Sequence, residues 1–155
     1  MITHALTIRQ PWAWLIVSAP KAHRKDIENR AWPPSYGARK AVEARTRRAP
    51  WRVWIHASKG LSRSYYEDAK DYAVDVAGFP ARLFPAFGDL PLGAVLGSVD
   101  LVRVVDDSTS GWFNGEGIGI QLAAPAPLAS PVACKGALGL WTIPADVAGQ
   151  LARAA

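Results

Sequence analysis

Lys25, Glu28 and Arg30 stand within the stretch KDIENR, directly before an Ala-Trp pair and a few residues after the apolar run PWAWLIV. On a strand, successive side chains alternate, so Glu28 and Arg30 share one face while Ile27 takes the other. Lys25 then sits at the strand's mouth, within reach of Glu28. A buried lysine–carboxylate pair perturbs both pKa values. The pair Lys25 and Glu28 is therefore the candidate acid–base couple, with a nucleobase amide or an RNA phosphodiester as the group acted upon. Two other uses fit the same six residues: a phosphate contact from Lys25, or a structural ion pair at the rim of a sheet.

Other side chains are candidates for contact with a nucleotide. Gln10 ends the first apolar strand, where its amide would read a base edge or cap the helix that follows. Trp32 follows the charged strand, and Trp112 lies in the loop STSGWFNGEG; both are expected to be exposed and to stack on a base. Trp12 recurs with Leu15 and Ile16 at helical spacing and is expected in the core. His56, Ser58 and Lys59 close the segment WIHASKG. His56 would donate to phosphate or act as an acid, or else lie buried on a backbone partner. Ser58 is a possible cap for the next helix. Lys59 and Lys135 each adjoin a glycine that lets a backbone approach closely, and are read as phosphate contacts with Arg47 and Arg48. Cys134 is read as packing. His4, His23 and His56 do not fall at metal-ligand spacing, so no metal is expected. No Gly-rich loop leads into Lys-Ser/Thr, and GEGIG lacks the spacing of a dinucleotide fingerprint; no cofactor is expected.

These groups need strands and helices to hold them. HALTI alternates as a strand, RQPWAWLIVSA turns helical, and IENR is the charged strand. From about residue 34 to 51 two prolines and a run of basic side chains predict a long Arg-rich surface loop, with at most a helical turn near Lys40 to Thr46. WRVWIHA is a strand. SYYEDAKDYAVDVA is the clearest helix, with Ser64 and Glu67 at capping-box spacing and a stripe of Tyr65, Ala69, Tyr72, Ala73 and Val76. GAVLGSVDLVRVV is a long strand in which Gly97 marks a bend or bulge. IGIQLA is read as a short strand, PAPLASP as an extended linker, GALGLWTI as the last strand and PADVAGQLARAA as a terminal helix. About six strands and three helices without βαβ alternation predict an α+β protein: a small, mostly antiparallel barrel carrying helices outside.

The chain of 155 residues is expected to form one domain, residues 1–155. One cysteine forms no internal bridge, and neither a signal peptide nor a membrane-length apolar run is visible. A soluble, cytoplasmic protein is expected, with no membrane partner and a monomer as the default. The net charge of +5 is unevenly spread: residues 1–64 hold 13 Lys/Arg against 3 Asp/Glu, and residues 65–155 hold 5 against 10. A one-sided positive field favours a polyanion. Seven tryptophans add the flat faces that nucleic-acid sites combine with cations. A solvated basic face is the plainer reading of the same numbers.

The blocks ALTIRQPWAWLIVS, KDIENRAW, WIHASKG, GAVLGSVDLV and CKGALGLW, in that order from about residue 5 to 143, resemble an ASCH domain of the PUA-like superfamily. The resemblance implies a β-barrel flanked by helices with a cleft on one side. The family signature Gly-x-Lys-x-x-Glu-x-Arg is matched at Lys25, Glu28 and Arg30; His23 replaces the glycine, and the segment APKAHR before the lysine is longer than usual. The gap between Trp32 and Val53 is about twice the usual length and rich in arginine. PUA-like domains are associated with RNA. One ASCH-like branch hydrolyses an acylated cytidine with a Lys and a Thr, and the Thr position here is Glu28; ribonuclease activity has been attributed to a bacterial member. The expectation is a domain that binds RNA or single-stranded nucleic acid through a basic, Trp-lined cleft. The alternative is a hydrolase of a modified nucleoside, or a ribonuclease, using Lys25 and Glu28. An interaction adaptor would instead show an exposed apolar patch and no basic cleft.

Overall fold

A computed structural model describes all residues, 1–155. Its centre is one sheet of six strands, β1 (His4–Ile8), β2 (Ile27–Arg30), β3 (Trp51–Ala57), β4 (Ala94–Val105), β5 (Ile118–Ala133) and β6 (Leu140–Thr142), in the order β2-β5-β4-β3-β1-β6. Every pairing is antiparallel except β1 with β3. The edge strands β2 and β6 do not pair, so the sheet is a half-barrel with an open seam. This agrees with the expected α+β class, strand number and dominant antiparallel pairing. Four helices rather than three accompany the sheet: α1 (Trp12–Val17), α2 (Gly37–Thr46), α3 (Arg63–Asp71) and α4 (Ala145–Ala154).

The extra helix is α2, in the stretch expected to be a loop. It is ten residues long and anchored by one fully buried side chain, Val42, in the main core. A single apolar contact leaves almost no periodic signal, and Arg39–Glu43 pairing at i,i+4 supplies the rest. β5 is likewise one strand of 16 residues, not a short strand and a linker. Its first four residues, Ile118–Gln121, lie between β2 and β4; beyond Gln121 it pairs only with β4. Pro125, Pro127 and Pro131 therefore sit on an edge where no neighbouring ladder needs their missing N–H. β6 is shorter than expected, only three residues.

Gly97 is the predicted irregularity: the β4–β5 register shifts between Val95 and Gly97. A side chain there would run into Ala126 O and meet Val17 Cγ1 at 2.7 Å, so the missing Cβ lets α1 lie against the sheet. Leu6, Ile8, Ile16, Val17, Ile55 and Leu101 fill that interface. α3 is capped by Ser62, whose Oγ accepts from Tyr65 N–H at 3.2 Å; Ser64 and Ser58 do not cap it. Its continuation, Tyr72–Val76, widens into a π turn. The wider turn breaks the expected stripe: Ala69 and Ala73 are buried, but Val76 points to solvent. No helix is long and apolar enough to cross a membrane.

Candidate functional site

The charged strand β2 lies along the open seam. Its Glu28 carboxylate is 6% exposed and receives Lys25 Nζ at 2.8 Å on one oxygen and Arg30 Nη2 at 2.9 Å on the other. Lys25 also donates to the Ile27 carbonyl, and its own N–H bonds Leu15 O, which ties the strand's mouth to α1. Arg30 reaches past the edge of the sheet to donate to Thr7 O at 2.9 Å. It thereby links β2 to β1, two strands that do not pair. Asn29 donates to Trp112 O and accepts from Asn114 N–H, fixing the loop that follows β4. The three charged groups converge as expected from their spacing.

They converge on a cavity of about 810 Å³. Lys25, Glu28 and Arg30 line it with Thr7 and Ile8; α1 supplies Trp12, α3 Tyr65 and Asp68, and the π turn Tyr72; Arg9, Ser58, Asn114, Glu116 and Leu138 complete the lining. Trp12 Nε1 donates to Tyr65 Oη at 2.9 Å, so the phenol keeps its own proton free to donate. Trp12 meets Tyr72 edge-on at 6.0 Å, its ring lies 5.7 Å from Lys25 Nζ, and the Arg9 guanidinium sits 4.4 Å over the Tyr65 ring. Formal charge is balanced, with Arg9, Lys25 and Arg30 against Glu28, Asp68 and Glu116. The expected basic cleft is therefore corrected: it is amphoteric, because Glu28 of β2, Asp68 of α3 and Glu116 of the loop before β5 each bring a carboxylate to it.

Burial pushes the Lys25 pKa down, and the neighbouring Glu28 charge only partly restores it. Burial pushes Glu28 the other way, but Lys25 and Arg30 outweigh it and hold the carboxyl below its usual range. Lys25 and Glu28 form a buried, directly hydrogen-bonded pair at the base of the cavity. No three His, Cys, Asp or Glu side chains converge as metal ligands.

Several predicted site residues lie elsewhere. Gln10 is fully buried, accepting from Trp14 N–H and donating to Pro91 O; it ties down the first turn of α1 and lies outside the cavity lining, out of reach of a base. Trp112 is 7% exposed and packs with Leu15, Ile27 and Phe79, so it is core, not a lid. Trp32 is half-buried against Tyr36 and Arg30, near the cavity but outside its lining. His56 is buried: Nε2 bonds Cys134 O at 3.0 Å and Nδ1 bonds Thr7 Oγ1 at 3.2 Å, with Trp141 edge-on at 5.7 Å. Opposite a carbonyl, Nε2 must carry the proton; Thr7 Oγ1 accepts from Trp141 Nε1 and donates to Nδ1. That ring supports the wall and offers nothing to a ligand. Cys134 is raised by burial, as packing requires. Lys59 and Lys135 are exposed but line no part of the cavity, whereas Ser58 does. Arg47 and Arg48 follow α2, next to Trp51, at the opposite end of β3 from the cavity, roughly 20 Å away at strand rise.

The aromatic wall that sequence reasoning missed is Trp12, Tyr65 and Tyr72. Their helical spacing marked them as apolar-facing, and they are; the cavity opens where those faces run out of core to cover them.

No family model matches the sequence, and no curated protein matches it. Among solved structures, the chain is similar to a point mutant of ZmASCH, a protein from Zymomonas mobilis, at 14% identity over 97% of this chain and 94% of that one, with a TM-score of 0.48.

Proposed function

We propose that the cleft receives one unpaired base of RNA or another single-stranded nucleic acid. The observation that carries this reading is the opening of the Lys25–Glu28–Arg30 array onto a cavity walled by Trp12, Tyr65 and Tyr72. Its volume lies within the roughly 300–1,000 Å³ typical of small-ligand sites. The base lies against the aromatic wall. Its donors meet Glu28 and Asp68, and its acceptors meet Arg30 and the Tyr65 hydroxyl. The flanking phosphates stay at the rim near Arg9 and Arg30. An amphoteric cleft suits a base edge, which carries both donors and acceptors, better than a bare phosphate.

Titration with a single-stranded tetranucleotide, followed by tryptophan fluorescence, tests the reading. Trp12→Leu keeps apolar volume but removes the flat face, and is expected to weaken binding by about 1–3 kcal/mol. Equal affinity in the variant, or preference for the matching duplex, overturns the proposal. A second reading is favoured by the lowered pKa of Lys25: the same site hydrolyses an acylated cytidine amide, with Lys25 moving the proton. Lys25→Met then abolishes turnover of that substrate, whereas in a pure binding site it only lowers affinity.

A further inference from the structure

The Arg-rich helix α2 is absorbed by neither reading of the cleft. Lys40, Arg45, Arg47 and Arg48 are all exposed, and none takes part in an ion pair. The acids nearby are already engaged: Glu43 and Asp106 with Arg39, and Asp100 with Arg52. At about 100° per residue, Lys40 and Arg47 fall on the side of α2 opposite the buried Val42, flanked by Gly37 and Ala44. Small residues there leave the cations proud of the helix surface. Arg45 lies 4.5 Å over the face of Trp51, which also meets His4 edge-on at 5.0 Å. The surface therefore joins unpaired cations to a half-exposed aromatic. Of the exposed large apolar side chains only Tyr36, the residue that opens α2, lies beside these cations, and its ring leans on Trp32 at 5.5 Å; Met1, Val76, Leu83, Leu92 and Leu138 lie on other elements.

We infer that α2 and the turn after it form a second nucleic-acid surface, separate from the cleft, which grips the phosphate backbone without regard to sequence. Lys40 and Arg47 stand seven residues apart, about 10 Å along the helix, so the two cations meet different phosphates of one strand. The surface lies at the opposite end of β3 from the cleft, so short oligonucleotides occupy one site and longer ones reach both. This inference goes beyond the cleft reading and does not rest on it.

The test uses the full chain and the triple variant Lys40→Gln, Arg47→Gln, Arg48→Gln, which touches no buried contact and leaves Arg45 on Trp51. Binding of a labelled single strand of about twenty nucleotides is expected to weaken about tenfold at low salt, and the slope of log K against log salt to flatten by about 2, near 0.7 for each lost contact. Tetranucleotide binding stays unchanged. If affinity and slope for the long strand equal those of the unaltered protein, the inference fails. Should vesicles of anionic phospholipid, and not the long strand, lose binding in the variant, the surface is a membrane contact and the inference fails equally. Failure of the cleft reading shows separately, as Trp12→Leu leaving tetranucleotide affinity intact.

Discussion

Glu28 is the carboxylate on which two cations depend. Replacing it by glutamine leaves Lys25 and Arg30 facing each other in a buried site with no countercharge, which costs about 3–5 kcal/mol. Lys25→Met is cheaper, since Glu28 keeps Arg30 and the lysine's own desolvation is relieved. Urea melts of the two variants should rank them in that order; the reverse ranking means Lys25, not Glu28, anchors the cluster. The pH dependence carries the same signature. The folded pKa of Glu28 lies below its ordinary 4.5, so its contribution is fully present above that value and is lost as pH falls through the folded pKa. Lys25 is lowered from 10.5, so in the window below that value the folded state holds fewer protons and stability rises with pH. Melting temperature followed below pH 4.5 should fall more steeply in the unaltered protein than in Glu28→Gln. Of these side chains, the alternation rule made Glu28 and Arg30 legible in the sequence as cofacial, and the i,i+3 spacing added Lys25. Trp112 was misread because its Gly/Ser/Asn surroundings signal a loop, and a loop signal does not say which of its residues turns inward. Gln10 offered a level choice that only its two buried partners decide.

At the scale of elements, the position of α1 decides where Trp12 stands, and α1 rests on the glycine-sized gap at Gly97. Gly97→Ala places a methyl against the Ala126–Pro127 backbone of β5 and the Val17 side chain of α1 at once, and the strain is relieved where the structure yields more easily. Overpacking of this kind costs about 1–3 kcal/mol. If α1 yields, Trp12 moves away from Tyr65, and tetranucleotide affinity falls together with stability; a variant that melts early but binds normally shows that β5 has yielded instead. The bulge was legible because a glycine inside a β-branched run has few other reasons to be there. The length of β5 was not, because proline is a breaker only where its N–H is needed, and which strand lacks a neighbour is a fact of topology. α2 was hidden for the opposite reason. A helix held by one buried valine and an Arg–Glu pair has the composition of a solvated loop.

For the molecule as a whole, the uneven charge of the two halves has a physical address. The cations of the first 64 residues supply α2 and part of the cleft floor; of the acids of the remainder, Glu67, Asp68 and Asp71 lie on α3 beside Arg63 and Lys70, and Asp75 lies in the π turn after it. A polyanion approaching from solution therefore meets an attractive end at α2, and the carboxylates of Asp68 and Glu116 beside the cleft. Such a field acts on encounter more than on the docked complex, whose residence is set by stacking and by the desolvated charges. Stopped-flow binding of a strand of about twenty nucleotides should show the association rate constant falling about tenfold between roughly 0.05 and 0.2 M salt, with the dissociation rate changing much less. In the α2 triple variant the association rate should already be low and nearly flat across that range. A salt effect confined to dissociation would mean that α2 does not steer the encounter. The strand would then be captured first by the cleft, and the cations of α2 would act only after docking.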